Sequence, residues 1–183
     1  MEKELALNDS VTLKVADIKK YIAGVDIAAS VDFTVVSVLD AESKELVYLD
    51  RFNRVDYPVL IDRLEAIYHR YHLTSMVVES NSIGRPVIDE LVTRGLNIVP
   101  FTTTSATKQS IIQNLQAAFE NGQIRILNNP VLVGELLSFE SKRNASGGFS
   151  YSAPDGMNDD CAMSLAIAWY GANSGGTILW LEE

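Results

Sequence analysis

Three apolar segments joined by short turns constrain the fold of this chain more than any other feature of its sequence. The segments YIAGVDIA, FTVVSVLD and ELVYLDRF occupy residues 21–28, 33–40 and 45–52. They are short, apolar and rich in β-branched residues, a pattern that predicts strands. The connections between them are too short for a parallel crossover, so the sequence predicts an antiparallel meander.

A regular alternation of helices and strands follows the meander. Amphipathic segments with apolar residues at helical spacing predict helices at 57–72, 84–95 and 105–122, and apolar segments predict strands at 74–80 and 97–102. Strand–helix–strand connections place strands in parallel. The sequence therefore predicts an α/β fold whose mixed sheet, an antiparallel three-strand meander plus parallel strands, is flanked by helices. This order resembles the ribonuclease H-like fold, with actin-like ATPase domains as topological relatives.

One predicted domain spans residues 21–174, between two flanking segments. Residues 1–20 lack strand periodicity and are interpreted as an N-terminal arm or linker remnant, with a short helix over 13–20 as the alternative. Residues 175–183 are glycine-rich and then apolar, typical of a tail that is disordered or docks on a neighbour. Within the domain, a glycine-tipped hairpin or mobile loop at 142–156 precedes a last helix.

The composition excludes several classes of protein. The 183-residue chain has no apolar run long enough to span a membrane, and its charged N-terminus is unlike a signal peptide. Its single cysteine excludes an internal disulfide and fits a reducing cytoplasm. The net charge of −9 argues against a broad basic surface for nucleic acid. It is compatible with a metal-dependent nuclease, since bound cations reverse the charge of carboxylate ligands locally.

Four carboxylates interrupt or end the predicted apolar elements. Asp26 lies within the first predicted strand, Glu79 ends the fourth, and Asp159 and Asp160 open the last helix. A charge in a central strand is costly unless it is paired or binds a metal. If the first and fourth strands are neighbours and the last helix packs across them, the four carboxylates meet at one sheet edge. Hard oxygen ligands of this kind favour two divalent ions, Mg²⁺ or Mn²⁺, which together support phosphodiester hydrolysis.

Each carboxylate also has a structural interpretation. Asp26 can bond to the backbone, and Glu79 can be an ordinary carboxylate at a strand end. Capping can explain the aspartate pair, because a negative charge at a helix N-terminus is stabilising by roughly 0.3–1 kcal/mol. Capping needs only one of the two, however, so metal binding by at least one of Asp159 and Asp160 is the favoured hypothesis.

Four further residues are candidates for substrate binding. Lys108 lies near the start of a predicted helix, where the dipole disfavours a cation, so we predict contact with a phosphate or a site carboxylate. Asn81 lies just after Glu79. It is interpreted either as part of an ordinary turn or as a residue that contacts the metal site or DNA. Lys142 and Arg143 flank the glycine-rich hairpin, which either contacts a DNA backbone or forms a solvated surface.

Three motifs together resemble the C-terminal nuclease domain of phage large terminase subunits. They are GVDIA with Asp32 in the first hairpin, VVESNSIG after the fourth strand, and GMNDDCAMSLAIA in the last helix. The segments SATKQSIIQNLQAAFENGQIRI and ELLSFES are also similar to that family. Each motif is weakly specific alone, and their order makes the set specific over roughly residues 21–174.

The resemblance implies a ribonuclease H-like fold and two-metal endonuclease activity on double-stranded DNA. It assigns Asp26, Glu79, Asp159 and Asp160 as catalytic metal ligands. Many relatives have a histidine just before the aspartate pair, where this sequence has Asn158. Which aspartate is the main ligand is therefore left open.

The family also implies a setting. The resemblance implies that this domain works with an ATPase motor domain, a small terminase subunit and a portal protein. It also implies a phage- or prophage-encoded protein in the cytoplasm of the bacterial host. The chain has no GxxxxGK[ST] loop. We therefore expect an excised domain or a separately encoded piece, monomeric alone and without a membrane partner.

Three other functions stay open from the sequence. A Holliday-junction resolvase or transposase-like nuclease would share the acids but prefer branched DNA. An actin-like ATPase lobe would use GVDIAAS as a phosphate-binding turn, although 183 residues hold only one of the two lobes needed. A non-catalytic docking module would keep the fold without the chemistry.

Overall fold

A five-stranded mixed sheet forms the centre of the computed structural model. The structure describes residues 4–7, 11–14, 19–28, 33–81, 83–143, 149–154 and 158–174. The strands in chain order are β1 (Glu4–Leu7), β2 (Val11–Lys14), β3 (Tyr21–Asp26), β4 (Thr34–Asp40), β5 (Glu45–Phe52), β6 (Ser75–Glu79), β7 (Ile98–Phe101), β8 (Glu140–Arg143) and β9 (Phe149–Ser152). The central sheet has the order β5-β4-β3-β6-β7.

The pairing of the sheet is the predicted one. Strands β3, β4 and β5 form an antiparallel meander, and β6 and β7 continue it in parallel. The neighbours β3 and β6 pair in parallel, with Val25 opposite Val78. Strand β3 is thus central, with an antiparallel partner on one side and a parallel partner on the other. The predicted α/β fold with a mixed sheet is confirmed.

Five helices within the described residues accompany this sheet. They are α1 (Tyr57–Tyr71), α2 (Gly84–Thr93), α3 (Ser105–Glu120), α4 (Pro130–Ser138) and α5 (Asp160–Asn173). Gly95 and Gly122, the last residues of two predicted helices, lie just after α2 and α3, and both have positive φ, the conformation that favours glycine after a helix. In the part of the chain that is described, no helix is both long and apolar enough to cross a membrane.

The helices divide into two layers because successive side chains of a strand point to opposite faces. Ala23 and Val25 of β3 pack with buried residues of α1 and α2. Ile22 of the same strand packs with buried residues of α3 and α5. The apolar runs of β3 and β4 follow from this arrangement, since a strand covered on both faces has no polar side.

Helix α5 lies against β3 almost backbone to backbone. A Cβ built on Gly24 would be 2.2 Å from the Ala168 nitrogen and 2.3 Å from the Ser164 carbonyl oxygen. The Ser164 hydroxyl donates a hydrogen bond to the Gly24 carbonyl at 2.9 Å and lies 2.9 Å from the Ser37 hydroxyl. Only a glycine in the strand and small residues in the helix allow this approach.

Two small antiparallel hairpins accompany the central sheet. The pair β8–β9 confirms the hairpin predicted at 142–156. The pair β1–β2 corrects the expectation that this segment lacks strands, and the alternative of a helix over 13–20 is wrong at Leu13 and Lys14, which lie in β2. The short VTLK segment alternates polar and apolar side chains with two β-branched residues, which is strand periodicity over too few residues to be prominent. The predicted tail at 175–183 lies outside the described residues.

We expect Gly24→Ala to destabilise the domain by about 3 kcal/mol or more, because the new methyl group would meet the backbone of α5 rather than a side chain that can move. Thermal unfolding followed by circular dichroism measures the change. Gly134→Ala is the matched control, since a Cβ there meets nothing within 4 Å and replaces a glycine inside α4. That control should be neutral or more stable by up to about 1 kcal/mol. Equal effects of the two substitutions would contradict the close packing of α5 on β3.

Candidate metal centre

Two of the predicted carboxylates end neighbouring parallel strands. Asp26 is the last residue of β3, and Glu79 is the last residue of β6. Each follows directly after the register pair Val25 and Val78. Parallel strands end at the same sheet edge, so the two carboxylates are adjacent there, and both are partly buried.

The aspartate pair reaches the same edge through α5. A side chain on Gly24 would meet Ser164 and Ala168, and one on Gly171 would meet Ile22. The helix therefore runs antiparallel to β3, and its N-terminal residues lie towards the end of the strand that carries Asp26. Electrostatics agrees with this placement, since Asp159 and Asp160 both repel the ionised form of Asp26.

Asp26 is a carboxyl group whose ionisation is strongly disfavoured by its surroundings. Burial raises its pKa well above the ordinary value, and a hydrogen bond with Glu79 raises it further. Repulsion by Glu79, Asp160 and Asp159 acts in the same direction. Four acids close enough to perturb one another favour either a retained proton or a bound cation.

Lys108 supplies a positive charge to the centre. Its ammonium group donates a 2.7 Å hydrogen bond to Oδ2 of Asp159, and both side chains are about a quarter exposed. The lysine lies in the first turn of α3, which is held by a reciprocal capping box between Thr104 and Thr107. The predicted contact of Lys108 with a site carboxylate is therefore present in the structure.

Asn81 bridges the end of β6 to the loop after β7. Its amide donates to Oε1 of Glu79 at 3.2 Å and to the carbonyl of Thr103 at 3.1 Å. Asn81 is therefore joined to the centre through Glu79. This contact restrains the Glu79 carboxylate at the sheet edge.

Lys142 and Arg143 lie in β8, whose partner β9 packs beside α3, the helix that carries Lys108. The Lys108 ammonium lies 5.9 Å from the centre of the Phe139 ring, directly before β8, so the hairpin begins near the metal centre. Asp32, Met157 and the hairpin tip at 144–148 lie outside the described residues.

Helix α5 is capped by a residue that the sequence motifs did not indicate. Asp159 occupies the N-cap position but makes no side-chain cap hydrogen bond. Instead, Oε2 of the buried Glu135, on α4, accepts hydrogen bonds from the backbone nitrogens of Cys161 at 2.7 Å and Ala162 at 3.1 Å. The signal was present in the sequence, since Glu135 interrupts the apolar run 131–137. The structural interpretation of Asp159 as a helix cap is thus not supported.

The chemistry of the donor set fits a hard divalent cation. The centre offers several carboxylate oxygens and no sulfur ligand, since the nearby Cys161 thiol is fully buried and its pKa is raised to about 12, chiefly by burial. In the described segments, no three His, Cys, Asp or Glu side chains form a ready-made cage for an ion. The carboxylates thus lie near one another without forming a complete ligand set. Asp159 accepts a hydrogen bond from Lys108, and Asp160 accepts one from the amide of Asn158 at 3.0 Å.

The raised pKa of Asp26 makes stability depend on pH in a defined direction. The unfolded chain loses this proton at the ordinary carboxyl pKa, whereas the folded chain retains it to higher pH. Ionisation of Asp26 therefore lowers stability as pH rises through that interval. We expect Asp26→Asn to raise the melting temperature in EDTA at pH 8, by about 2–4 °C per kcal/mol gained, and not at pH 3.

Asp50→Asn is the control for this prediction. It neutralises the carboxylate that accepts two 2.7 Å hydrogen bonds from Arg63 of α1, on the face of the sheet opposite α5, and it should lower the melting temperature at pH 8. A lower melting temperature for Asp26→Asn at pH 8 would contradict the proposed charge repulsion.

Comparison with known proteins agrees with this architecture. A family model for the terminase RNase H-like domain matches residues 23–168. The large terminase subunit of Thermus virus P23-45 is 32% identical over 150 residues, which cover 81% of this chain and 31% of that protein. The chain thus spans about a third of the length of this curated relative.

Solved structures of terminase nucleases have the same fold. The large terminase nuclease from thermophilic phage G20c with bound magnesium superposes with a TM-score of 0.78 at 30% identity, covering 84% of this chain and 82% of that one. The same nuclease with bound cobalt gives a TM-score of 0.77 with the same identity and coverage. The resemblance drawn from the sequence motifs is confirmed: the chain belongs to the terminase RNase H-like domain family.

Proposed function

We propose that this domain is a metal-dependent endonuclease that hydrolyses double-stranded DNA during viral genome packaging. The observation that carries the proposal is the meeting of Asp26 and Glu79 with the N-terminus of α5 at one edge of a terminase-type sheet. The related nuclease from phage G20c binds magnesium. The raised pKa of Asp26 supports a role at a site of concentrated negative charge.

Asp26, Glu79, Asp159 and Asp160 are the proposed ligands of two divalent ions, Mg²⁺ or Mn²⁺. Such ions supply an activated water and neutralise the charge that develops on the phosphate and the leaving oxygen. Asp26 would be within reach of either ion, because it ends the central strand, among the other three acids. Asn81 restrains Glu79 through the 3.2 Å hydrogen bond.

The DNA-contacting groups are proposed to be Lys108, Asn81, Lys142 and Arg143. When a cation occupies the carboxylates, the Lys108 ammonium no longer has to neutralise Asp159 and can bind a phosphate oxygen instead. The hairpin of β8 and β9 lies beside the helix of Lys108, so its two basic residues can follow the DNA backbone. These contacts position the backbone and carry no sequence preference.

The setting of this activity is proposed from the family. The domain would act beside an ATPase motor domain, with a small terminase subunit and a portal protein, in the cytoplasm of a bacterial host. The curated relative is about three times as long as the segment matched here, which leaves room for such a motor in that protein. We propose that the domain alone is a monomer.

Cleavage of supercoiled plasmid tests the proposal directly. We expect nicking or linearisation with Mg²⁺ or Mn²⁺ and none with EDTA. Asp26→Ala and Glu79→Ala should each lower the rate by about 10³-fold or more, because each loses a ligand that stabilises charge in the transition state. Asp89→Ala removes a well-exposed carboxylate on α2 and should cleave like the unmodified protein.

The same assay separates the alternatives. Four-way junctions cleaved much faster than linear duplex would favour a resolvase-like enzyme. Absence of cleavage with either metal, together with absence of metal binding, would favour a non-catalytic docking module. Family membership disfavours the actin-like ATPase lobe, which would bind ATP in calorimetry.

Lys108→Met tests the two roles of the lysine. We expect Mn²⁺ to bind at least as tightly as in the unmodified protein, because a competing cation has left Asp159. Cleavage should slow by about tenfold or more, the size of one lost charge-assisted hydrogen bond to phosphate. Lys44→Met is the control, since Lys44 bonds to Ala172 and Asn173 at the far end of α5. Weaker Mn²⁺ binding in Lys108→Met would argue against competition for Asp159.

A further inference from the structure

Glu135 is a buried acid outside the proposed metal-binding and DNA-contacting residues, at the start of the segment ELLSFES. It lies on α4 with only 7% of its surface exposed. Burying a carboxylate is costly unless hydrogen bonds compensate it. Its Oε2 receives two, from the backbone nitrogens of Cys161 and Ala162. Its Oε1 is buried without a hydrogen-bond partner among the described residues.

These two hydrogen bonds supply the cap that α5 lacks locally. The first backbone N–H groups of a helix have no partner within it, and an N-cap side chain usually accepts from them. Asp159 holds the N-cap position, yet its carboxylate makes no such bond. The acid on α4 takes over this role, and its negative charge also suits the positive end of the helix dipole.

The separation of capping by Glu135 from site contacts by Asp159 matters, because one carboxylate cannot both cap α5 and point into the metal centre. A cap carboxylate turns back towards the helix N–H groups, whereas Asp159 instead meets Lys108 at 2.7 Å. We propose that Glu135 is a positioning residue, which caps α5 from α4 and thereby keeps the Asp159 carboxylate directed at the metal centre. This inference rests on the proposed function, since it presumes that the aspartate pair binds metal.

The Glu135 carboxylate joins α4 to α5 through one oxygen, Oε2, while Oε1 has no hydrogen-bond partner among the described residues. The Cys161 thiol also interacts with this carboxylate. What the carboxylate provides is a fixed acceptor placed between two helices, which sets the position of the first turn of α5 relative to α4. That turn carries Asp160 and directly follows Asp159.

Two substitutions of matched volume separate hydrogen bonding from charge. Glu135→Gln removes the charge but keeps an acceptor oxygen, whereas Glu135→Met removes both. If the acid acts only as a distant negative charge, both variants lose the same Mn²⁺ affinity. If it acts as the cap, Met releases the N–H groups of Cys161 and Ala162, and the Asp159 carboxylate turns to accept from them.

The experiment measures Mn²⁺ affinity of the full chain by electron paramagnetic resonance, well below each melting temperature. We expect Glu135→Met to bind at least about tenfold more weakly than the unmodified protein, and Glu135→Gln to stay within about threefold. With saturating Mn²⁺, kcat should fall in Glu135→Met while KM for DNA changes little. Ile61→Val, on α1 at the opposite face of the sheet, is the stability control and should leave Mn²⁺ affinity unchanged.

The outcomes are distinguishable. Equal Mn²⁺ affinity in Glu135→Met and the unmodified protein would overturn the positioning role alone, and equal losses in Met and Gln would reduce it to a charge effect and also overturn it. An unmodified protein that binds no Mn²⁺ would overturn the proposed function itself. If Glu135→Met does not fold, amide hydrogen exchange of the unmodified protein decides: protected amides at Cys161 and Ala162 support the cap, and rapid exchange there overturns it.

Discussion

The contact between α5 and β3 is the constraint on which the candidate centre depends. Gly24 presents only backbone to the helix, and the Ser164 hydroxyl bonds to its carbonyl. Because the helix runs antiparallel to the strand, this close approach brings its first residues to the end of β3. A larger side chain at position 24 would lift the helix and move Asp159 and Asp160 away from Asp26. Gly24 is thus needed both for the packing of α5 on β3 and for the position of the aspartate pair beside Asp26.

The second constraint is the cost of placing several carboxylates close together at one end of the sheet. The structure accommodates Asp26, Asp159 and Glu135 in three different ways. Asp26 retains its proton to higher pH because burial and its acidic neighbours raise its pKa. Asp159 is neutralised by the ammonium of Lys108. The pKa of Glu135 is raised by burial, and the backbone hydrogen bonds from α5 oppose that shift. Under the proposed function, cations would replace the first two of these solutions, so metal binding would release protons and free the lysine.

Much of this arrangement could be predicted from the sequence because it depends on periodicity and on strand order. The two short connections determine the three-strand meander, and the alternation that follows determines the parallel strands, so the meeting of Asp26 and Glu79 was predictable. The contact of Lys108 with a carboxylate was also predictable, because a lysine in the first turn of a helix needs a compensating partner. Glu135 was missed because periodicity gives the buried face of α4 but not which residue of another helix lies opposite it, 26 residues away. The hairpin of β1 and β2 was missed because its strands have only four residues each, too few for a clear period.

The overall charge of the chain bears on how such a nuclease would meet DNA. A net charge of −9 repels a polyanion, and the basic residues placed near the centre are few. Weak affinity is a disadvantage for an enzyme that must find its substrate by diffusion. It is an advantage for a nuclease attached to a motor, because the motor holds the DNA and sets its effective concentration at the site. Cutting would then be governed by when the motor presents DNA to the carboxylates, and not by the affinity of the nuclease itself. Under the proposed function, the net negative charge would keep the metal centre from cutting DNA that a motor has not delivered.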